Sequence, residues 1–287
     1  MRNGVTRLEA YSPAGVDQTA PLDEAGAAFV AALAAAMVDD RLLELGEPVA
    51  MTLGDWAFSP MKAVMLVRHL LSRTTGISTR SLRAQTVQDA IVAEPTTMPG
   101  TTFDPYDAGL LIFTEVARRK LVARGLEADP VTYLQRRVLE PVGAGGVRFE
   151  RGPDGWSRLA DGAIASAPAW AAYGELIRRG GVWRARWLVD NAALSEATVA
   201  TGATSRYGFG WWLGAGAPTA PNDPLRAVTD LWDLGPRALP VDLLMAAGGR
   251  GQRLYIIPSR RLVAARLATS GADYSDAAFL RLLLTAA

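Results

Sequence analysis

The chain has no cysteine and a single histidine, His69. The first absence excludes disulfides, thiolate metal sites and a cysteine nucleophile. The second excludes a multi-histidine metal site. Lysine is almost as scarce. Lys62 and Lys120 are the only two, and every other basic side chain apart from His69 is arginine. Neither sign of charge dominates, because 30 Lys and Arg against 29 Asp and Glu leave a formal +1. No bulk field therefore points to nucleic acid or to an anionic membrane. Long apolar runs are missing too. The longest, residues 25–38, is rich in alanine and bounded by Asp23-Glu24 and Asp39-Asp40-Arg41. It is too short to span a bilayer and reads as a buried helix. The opening MRNGVTRLEAYS lacks the apolar core of a secretory signal. The expectation is a cytoplasmic, soluble protein that takes a small molecule, with no metal or other cofactor.

What is present fits a sizeable core: 287 residues, 49% of them hydrophobic. Residues 5–11 alternate apolar and polar, which predicts a short strand. Asp23 stands where it can cap a helix running to about Val38, with Glu24 in its first turn. Ser59-Pro60 reads as a second helix start, N-cap then first-turn proline, for a helix to about Ser72. Helical spacing recurs over Asp107–Ala123, Pro130–Leu139 and Trp170–Arg179. After about residue 205 the pattern turns to strands: 211–213, 241–246, 253–257 and 262–267. A last helix is predicted over Ser275–Leu284. This order gives a helical region followed by an antiparallel sheet, an α/β (α+β) chain in two lobes, with the crevice between them as the expected site.

Three segments carry a family resemblance. Arg68-His69-Leu70-Leu71-Ser72-Arg73-Thr74-Thr75-Gly76-Ile77 is similar to R-H-L-L-S-x-T-S-G-L. Pro99-Gly100-Thr101-Thr102-Phe103, with Ala108-Gly109 after it, is similar to P-G-x-x-F-x-Y-S-N-x-G. Tyr207-Gly208-Phe209-Gly210-Trp211-Trp212 and Ala246-Ala247-Gly248-Gly249-Arg250-Gly251-Gln252 are similar to Y-G-Y-G-W-W and A-x-G-x-x-G-Q. In this order they resemble the class C β-lactamase branch of the penicillin-recognising serine hydrolases, including its esterases and 6-aminohexanoate-oligomer hydrolases. The resemblance covers about residue 24 to the C-terminus. It implies a β-lactamase/transpeptidase-like fold: an antiparallel sheet lobe with flanking helices, here about residues 1–22 plus 205–287, and a helical lobe of about 24–200. The whole of 1–287 is then one unit. The family's longer lead-in is shortened here, and an open sheet edge would need a protecting loop or a partner, such as a second copy in a homodimer.

The resemblance also implies a serine nucleophile and lysine base in S-x-x-K, and a tyrosine in Y-x-N. Counted back from Val38-Asp39-Asp40 through Pro48-Val49, the S-x-x-K slot falls on Glu24-Ala25-Gly26-Ala27, and no Ser or Lys lies between residues 20 and 40. The Y-x-N slot falls on Pro105-Tyr106-Asp107. Neither proline nor alanine can move a proton. The chain is thus expected to be a divergent member without the acylation machinery.

Each candidate has a plain reading and a functional one. Glu24 is either a first-turn acid favoured by the helix dipole or a carboxylate in the old nucleophile site. Asp107 would then share its cleft, and two such acids can divide the roles of acid and base. Tyr106 is a loop aromatic or a partial substitute for the lost phenol. Arg250 is a solvated surface group or a carboxylate clamp, beside Gly248 and Gly251 on the strand edge that by resemblance supplies an oxyanion N–H. Trp211, Trp212 and Trp232 pack a core or line a pocket. Asp161 is near the cleft by resemblance. His69 is a packing or capping group, or a partner for Ser72. Ser59-Pro60-Met61-Lys62 is a literal S-x-x-K, readable as a helix cap with a solvated lysine or as an esterase or amidase pair. Three functions follow as expectations. One is a remodelled hydrolase fold doing acid/base chemistry on a small metabolite, as in bacterial specialised metabolism. The second is a pseudoenzyme that binds or scaffolds, and the third a serine esterase on Ser59 and Lys62.

Overall fold

The computed structural model describes residues 1–11, 15–83, 85–214, 240–270 and 274–285; Trp232 lies outside them. The element that sets the architecture is α1, Phe29–Asp39, which continues a 3-10 turn at Asp23–Ala28. From Phe29 to Met37 every residue is buried, so this helix is apolar on all sides, as a central helix must be. Its alanines let neighbours come close. Tyr173 reaches in to donate to the Ala28 carbonyl (2.6 Å), and Tyr133 donates to Ala36 O (3.0 Å) and Asp40 Oδ2 (2.7 Å). The helices that follow are short α2 (Pro60–Ala63), α3 (Val67–Leu71) and α4 (Val87–Val92), then α5 (Gly109–Ala123), α6 (Pro130–Leu134), α7 (Ala167–Arg178) and α8 (Asn191–Ala197), of which α6 and α8 pack directly on α1. α6 loosens into a π-helical turn over Gln135–Leu139.

The late sheet is an antiparallel meander of β6 (Trp212–Leu213), β7 (Leu244–Ala247), β8 (Arg253–Ile257) and β9 (Leu262–Arg266), in that order. Side chains alternate between two cores. Leu213, Leu244, Ala246, Leu254, Ile256 and Val263 face the main core. Trp212, Met245, Ala247, Tyr255, Ile257 and Leu262 face a second core closed by the last helix, α9 (Asp276–Thr285), through Leu280. Burial on both faces explains why these strands read as nearly continuous apolar runs. One charged pair crosses the second core: Arg253 of β8 holds Asp276 of α9 at 2.8 and 3.1 Å, both fully buried.

Three local expectations need correction. Residues 5–11 form no strand. The N-terminal chain instead lays Met1 against Val263 and Arg2 against Leu262 at the outer edge of β9, then runs exposed. Val5 bridges only to nearby Arg2, and residues 6–11 join no strand among the described residues, so the alternation finds no sheet to bury into. The true first strand, β1 (Thr19–Pro21), joins a separate three-stranded sheet with β2 (Arg148–Phe149) and β3 (Ala163–Ser166), in the order β1-β3-β2. A two-residue hairpin pair, β4 (Val182–Trp183) and β5 (Arg186–Trp187), stands apart. The helix expected from Ser59 to Ser72 is two helices. Leu66 leaves the helix to bridge Pro48, and His69 Nδ1 then takes the Leu66 N–H to start α3. Asp23 caps nothing with its side chain; it is held by Arg250 instead.

Candidate active site

The 3-10 turn that carries Glu24 is held by unusually close backbone contacts. A side chain on Gly248, at the end of β7, would come within 2.0 Å of the Leu22 carbonyl. One on Gly210 would meet Ala27 O at 2.2 Å, and Gly210 has φ +78°, a conformation that favours glycine. These two glycines let the sheet dock directly on the turn. Asp23 then pairs with Arg250 (2.6 Å), and Glu24 Oε2 accepts the Gly249 N–H at 3.1 Å. Glu24 Oε1 has no hydrogen bond among the described residues. The Glu24 side chain is exposed and forms part of the wall of a cavity of about 710 Å³.

The opposite contribution comes from the loop before α5. Asp104 Oδ1 accepts the Tyr106 N–H (2.9 Å), a local Asx turn that aims the loop. Asp107 follows and is 5% exposed. Its Oδ2 accepts from the Thr75 N–H (2.7 Å) and hydroxyl (2.8 Å), and its Oδ1 from the Gly109 N–H (2.6 Å). Burial pushes its carboxyl up to about 7, against the pull of these donors and of the Arg73 guanidinium. Glu24 is not among the causes, so the displaced titration comes from desolvation and not from a second carboxylate. Glu24 and Asp107 do line one cavity, with Tyr106 and Asp161. Tyr106 lies beneath the Arg80 guanidinium, 3.6 Å from its ring centroid. Asp161 is engaged by Arg158 (3.0 Å).

Other candidates lie elsewhere. Trp211 is fully buried in the main core beside Tyr173, because the residue at that register faces inward; its neighbour Trp212 reaches the cavity. Arg250 pairs with Asp23 and is not among the residues that line the cavity. Gly251 turns its carbonyl to Arg266 (2.7 Å), and the edge N–H that faces the cavity wall is that of Gly249. Gly248 serves close packing. Ser72 Oγ donates to Arg68 O (2.7 Å), so no Ser–His pair forms with His69. Burial holds the His69 imidazole below its ordinary value.

The two lysines of the chain are both away from the cavity. Lys62 is buried, bonded to Glu94 (2.9 Å) and to the carbonyls of Ile91 and Val92, and Ser59 Oγ donates to the same Glu94 (2.9 Å). Both side chains of this literal S-x-x-K therefore turn to Glu94 and not to each other. Lys120 pairs with Glu47 (2.6 Å). A larger hollow, about 1580 Å³, lies between the N-terminal segment and β9. It gathers none of the chemistry above, so we place the site in the smaller one.

The residues missed from sequence are Arg73 and Tyr207. Arg73 has φ +58°, is 7% exposed, and donates through Nη1 to the carbonyl of Pro105. Tyr207 is buried under it, packed against Phe103 (4.8 Å) and Trp212 (5.0 Å). Both stand within quoted motifs, but nothing in their spacing brings them together. No three-acid or histidine cluster able to hold a metal occurs among the described residues.

Known structures share this architecture. A provisionally assigned β-lactamase from Bacteroides dorei DSM 17855 superposes with a TM-score of 0.73 at 19% identity, covering 100% of this chain and 91% of that one. A provisionally named 6-aminohexanoate-dimer hydrolase from Bacillus anthracis gives 0.70 at 12%, covering 97% and 74%. A penicillin-binding protein homologue from Caulobacter crescentus gives 0.68 at 16%, covering 89% and 79%. At such identities the likeness establishes the fold alone. No match is found among curated proteins. The Beta-lactamase family model matches residues 28–287, beginning just after the Glu24–Ala27 turn. With the antiparallel sheet and the buried central helix in place, the chain belongs to the Beta-lactamase family.

Proposed function

We propose that the protein binds a small organic metabolite in the Glu24–Asp107 cleft and moves a proton on it without forming an acyl-enzyme. The placement of the lysines carries this reading. Both are committed to ion pairs outside the cleft, so no amine is available there to activate a serine. What the cleft offers instead is a carboxylate with one free oxygen, Glu24, fixed through its other oxygen by the Gly249 N–H. Glu24 acts as the base. Asp107, buried and titrating near neutrality, sets the charge of the wall opposite. Reactions of this kind include cyclisation, isomerisation, elimination and water-mediated hydrolysis.

The experiment is a turnover screen of small organic acids by mass spectrometry, followed by Glu24→Gln on any substrate found. The reading expects kcat to fall by roughly 10²–10⁴ in Glu24→Gln and to be unchanged in Ser59→Ala. Intact turnover in Glu24→Gln, or loss in Ser59→Ala, would sink it. A second reading, a binding pseudoenzyme, draws on the three hydrogen bonds that already consume both oxygens of Asp107. It predicts saturable ligand binding with no change in the ligand.

A further inference from the structure

The cleft holds one buried cation that has no acid within ion-pair distance among the described residues. Arg73 is 93% buried by the complement of its 7% exposure, yet no carboxylate lies within ion-pair distance of it among the described residues. Its Nη1 is spent on the Pro105 carbonyl, and its Nε has no partner. Its nearest acid by charge is Asp107, whose oxygens are turned to Thr75 and Gly109. A guanidinium buried in this way is costly unless something supplies the missing negative charge. The other cations of the cleft differ in a telling way. Arg151 is answered by Asp129 (3.0 Å) and Arg158 by Asp161. Arg80 and Arg83, exposed at the rim, have no ion pair among the described residues. The unanswered positive charge is therefore concentrated on the stretch 73–83.

Beside Arg73 the wall is aromatic. Phe103, Tyr207 and Trp212 are in mutual ring contact, with centroids 4.8, 5.9 and 5.0 Å apart, and all three line the cleft. Such a wall suits a flat apolar body. The acids at Glu24, Asp154 and Asp161 share the same cavity. Asp161 is already answered by Arg158, so a second negative charge on a ligand would meet the unanswered charge of Glu24 and Asp154.

We propose that the cleft recognises an aromatic carboxylic acid, its carboxylate on Arg73, its ring against Phe103 and Trp212, and its approach favoured by Arg80 and Arg83. This names the ligand class of the site described above and rests on that reading only for the location of the cleft. It does not require that the ligand react. With Nη1 on Pro105 and Nε enclosed, the contact is a single charge-assisted hydrogen bond and not a bidentate fork.

The test is calorimetric titration of the full chain at neutral pH and low salt with three probes: benzoate, benzamide and phenyl phosphate. Benzoate should bind roughly tenfold tighter than benzamide and tighter than phenyl phosphate. Arg73→Met should erase the preference over benzamide. Because that variant removes a buried group, circular dichroism must show it folded. The exposed double variant Arg80→Gln/Arg83→Gln carries no such risk and should weaken benzoate about threefold while flattening its salt dependence. Equal binding of benzamide, preference for phenyl phosphate, no binding of any probe, or wild-type benzoate affinity in both variants would each overturn the proposal. Glu24→Gln separates it from the catalytic reading. Benzoate affinity should survive that change, whereas turnover should not. Lost benzoate binding with Glu24-dependent turnover would refute the anion site alone. Retained binding with Glu24-independent turnover would refute the proton-transfer reading alone.

Discussion

Asp107 ties the electrostatics of the cleft to the stability of the fold. Its carboxyl is raised in the folded protein to about 7 from an ordinary 3.8. A group raised in this way binds its proton more tightly when folded. Its favourable contribution is therefore complete below about pH 4 and is lost as pH rises to about 7. Denaturant titrations should show wild type losing stability relative to Asp107→Asn across that window, by ~4 kcal/mol at most. A constant difference between the two proteins from pH 4 to 8 would mean that burial does not displace this carboxyl. Asp107→Asn should also cost about 1–3 kcal/mol at low pH, because its amide NH₂ must face either Gly109 N–H or the Thr75 donors. At this scale the sequence was partly legible. Glu24 and Asp107 could be placed by counting along motifs, and they line one cavity. Arg73 could not be found that way. Its role depends on a left-handed backbone that turns its side chain towards Pro105, and no local pattern encodes that turn.

Among elements, the contacts that matter are those without side chains and those with buried charge. Gly248 and Gly210 allow β7 and the segment before β6 to rest on the Glu24 turn. Gly248→Ala should cost roughly 1–3 kcal/mol, since its new methyl meets the Leu22 carbonyl, which is backbone and cannot swing aside. Urea midpoints would measure this, and an unchanged midpoint would show that the turn can shift freely. The Arg253–Asp276 pair fastens α9 to β8 and also receives the Tyr255 hydroxyl. Asp276→Ala should destabilise by about 3–5 kcal/mol, because it strands a buried guanidinium. Arg253→Met/Asp276→Leu together should recover much of that loss. If the double variant is as unstable as the single one, the pair contributes more than the relief of its own burial. Strands of this sheet were readable because both faces are apolar: β8 is found over the predicted 253–257. Short elements were not. α4, α8 and the β1-β3-β2 sheet have too few residues for a period to register, and tertiary contact decides them.

For the whole molecule, the family match and the three known structures fix the scaffold, while the placement of the lysines bears on what the scaffold does. No helix among the described residues is long and apolar enough to cross a membrane. The literal Ser59-Lys62 motif shows why spacing alone misleads. It has the residue types and the helix start, yet the fold turns both side chains to Glu94. Lys62→Met should therefore lower stability, through the lost bonds to Glu94, Ile91 and Val92, and leave ligand binding in the cleft unchanged. Thermal melting and benzoate titration on the same sample would check both halves. The measurement that bears most directly on the central claim is intact-protein mass spectrometry after incubation with a fluorophosphonate and with a cephalosporin. A protein without an acylating serine keeps its unmodified mass with both reagents. A stoichiometric adduct mapping to Ser59, or to any serine of the cleft, would contradict the account.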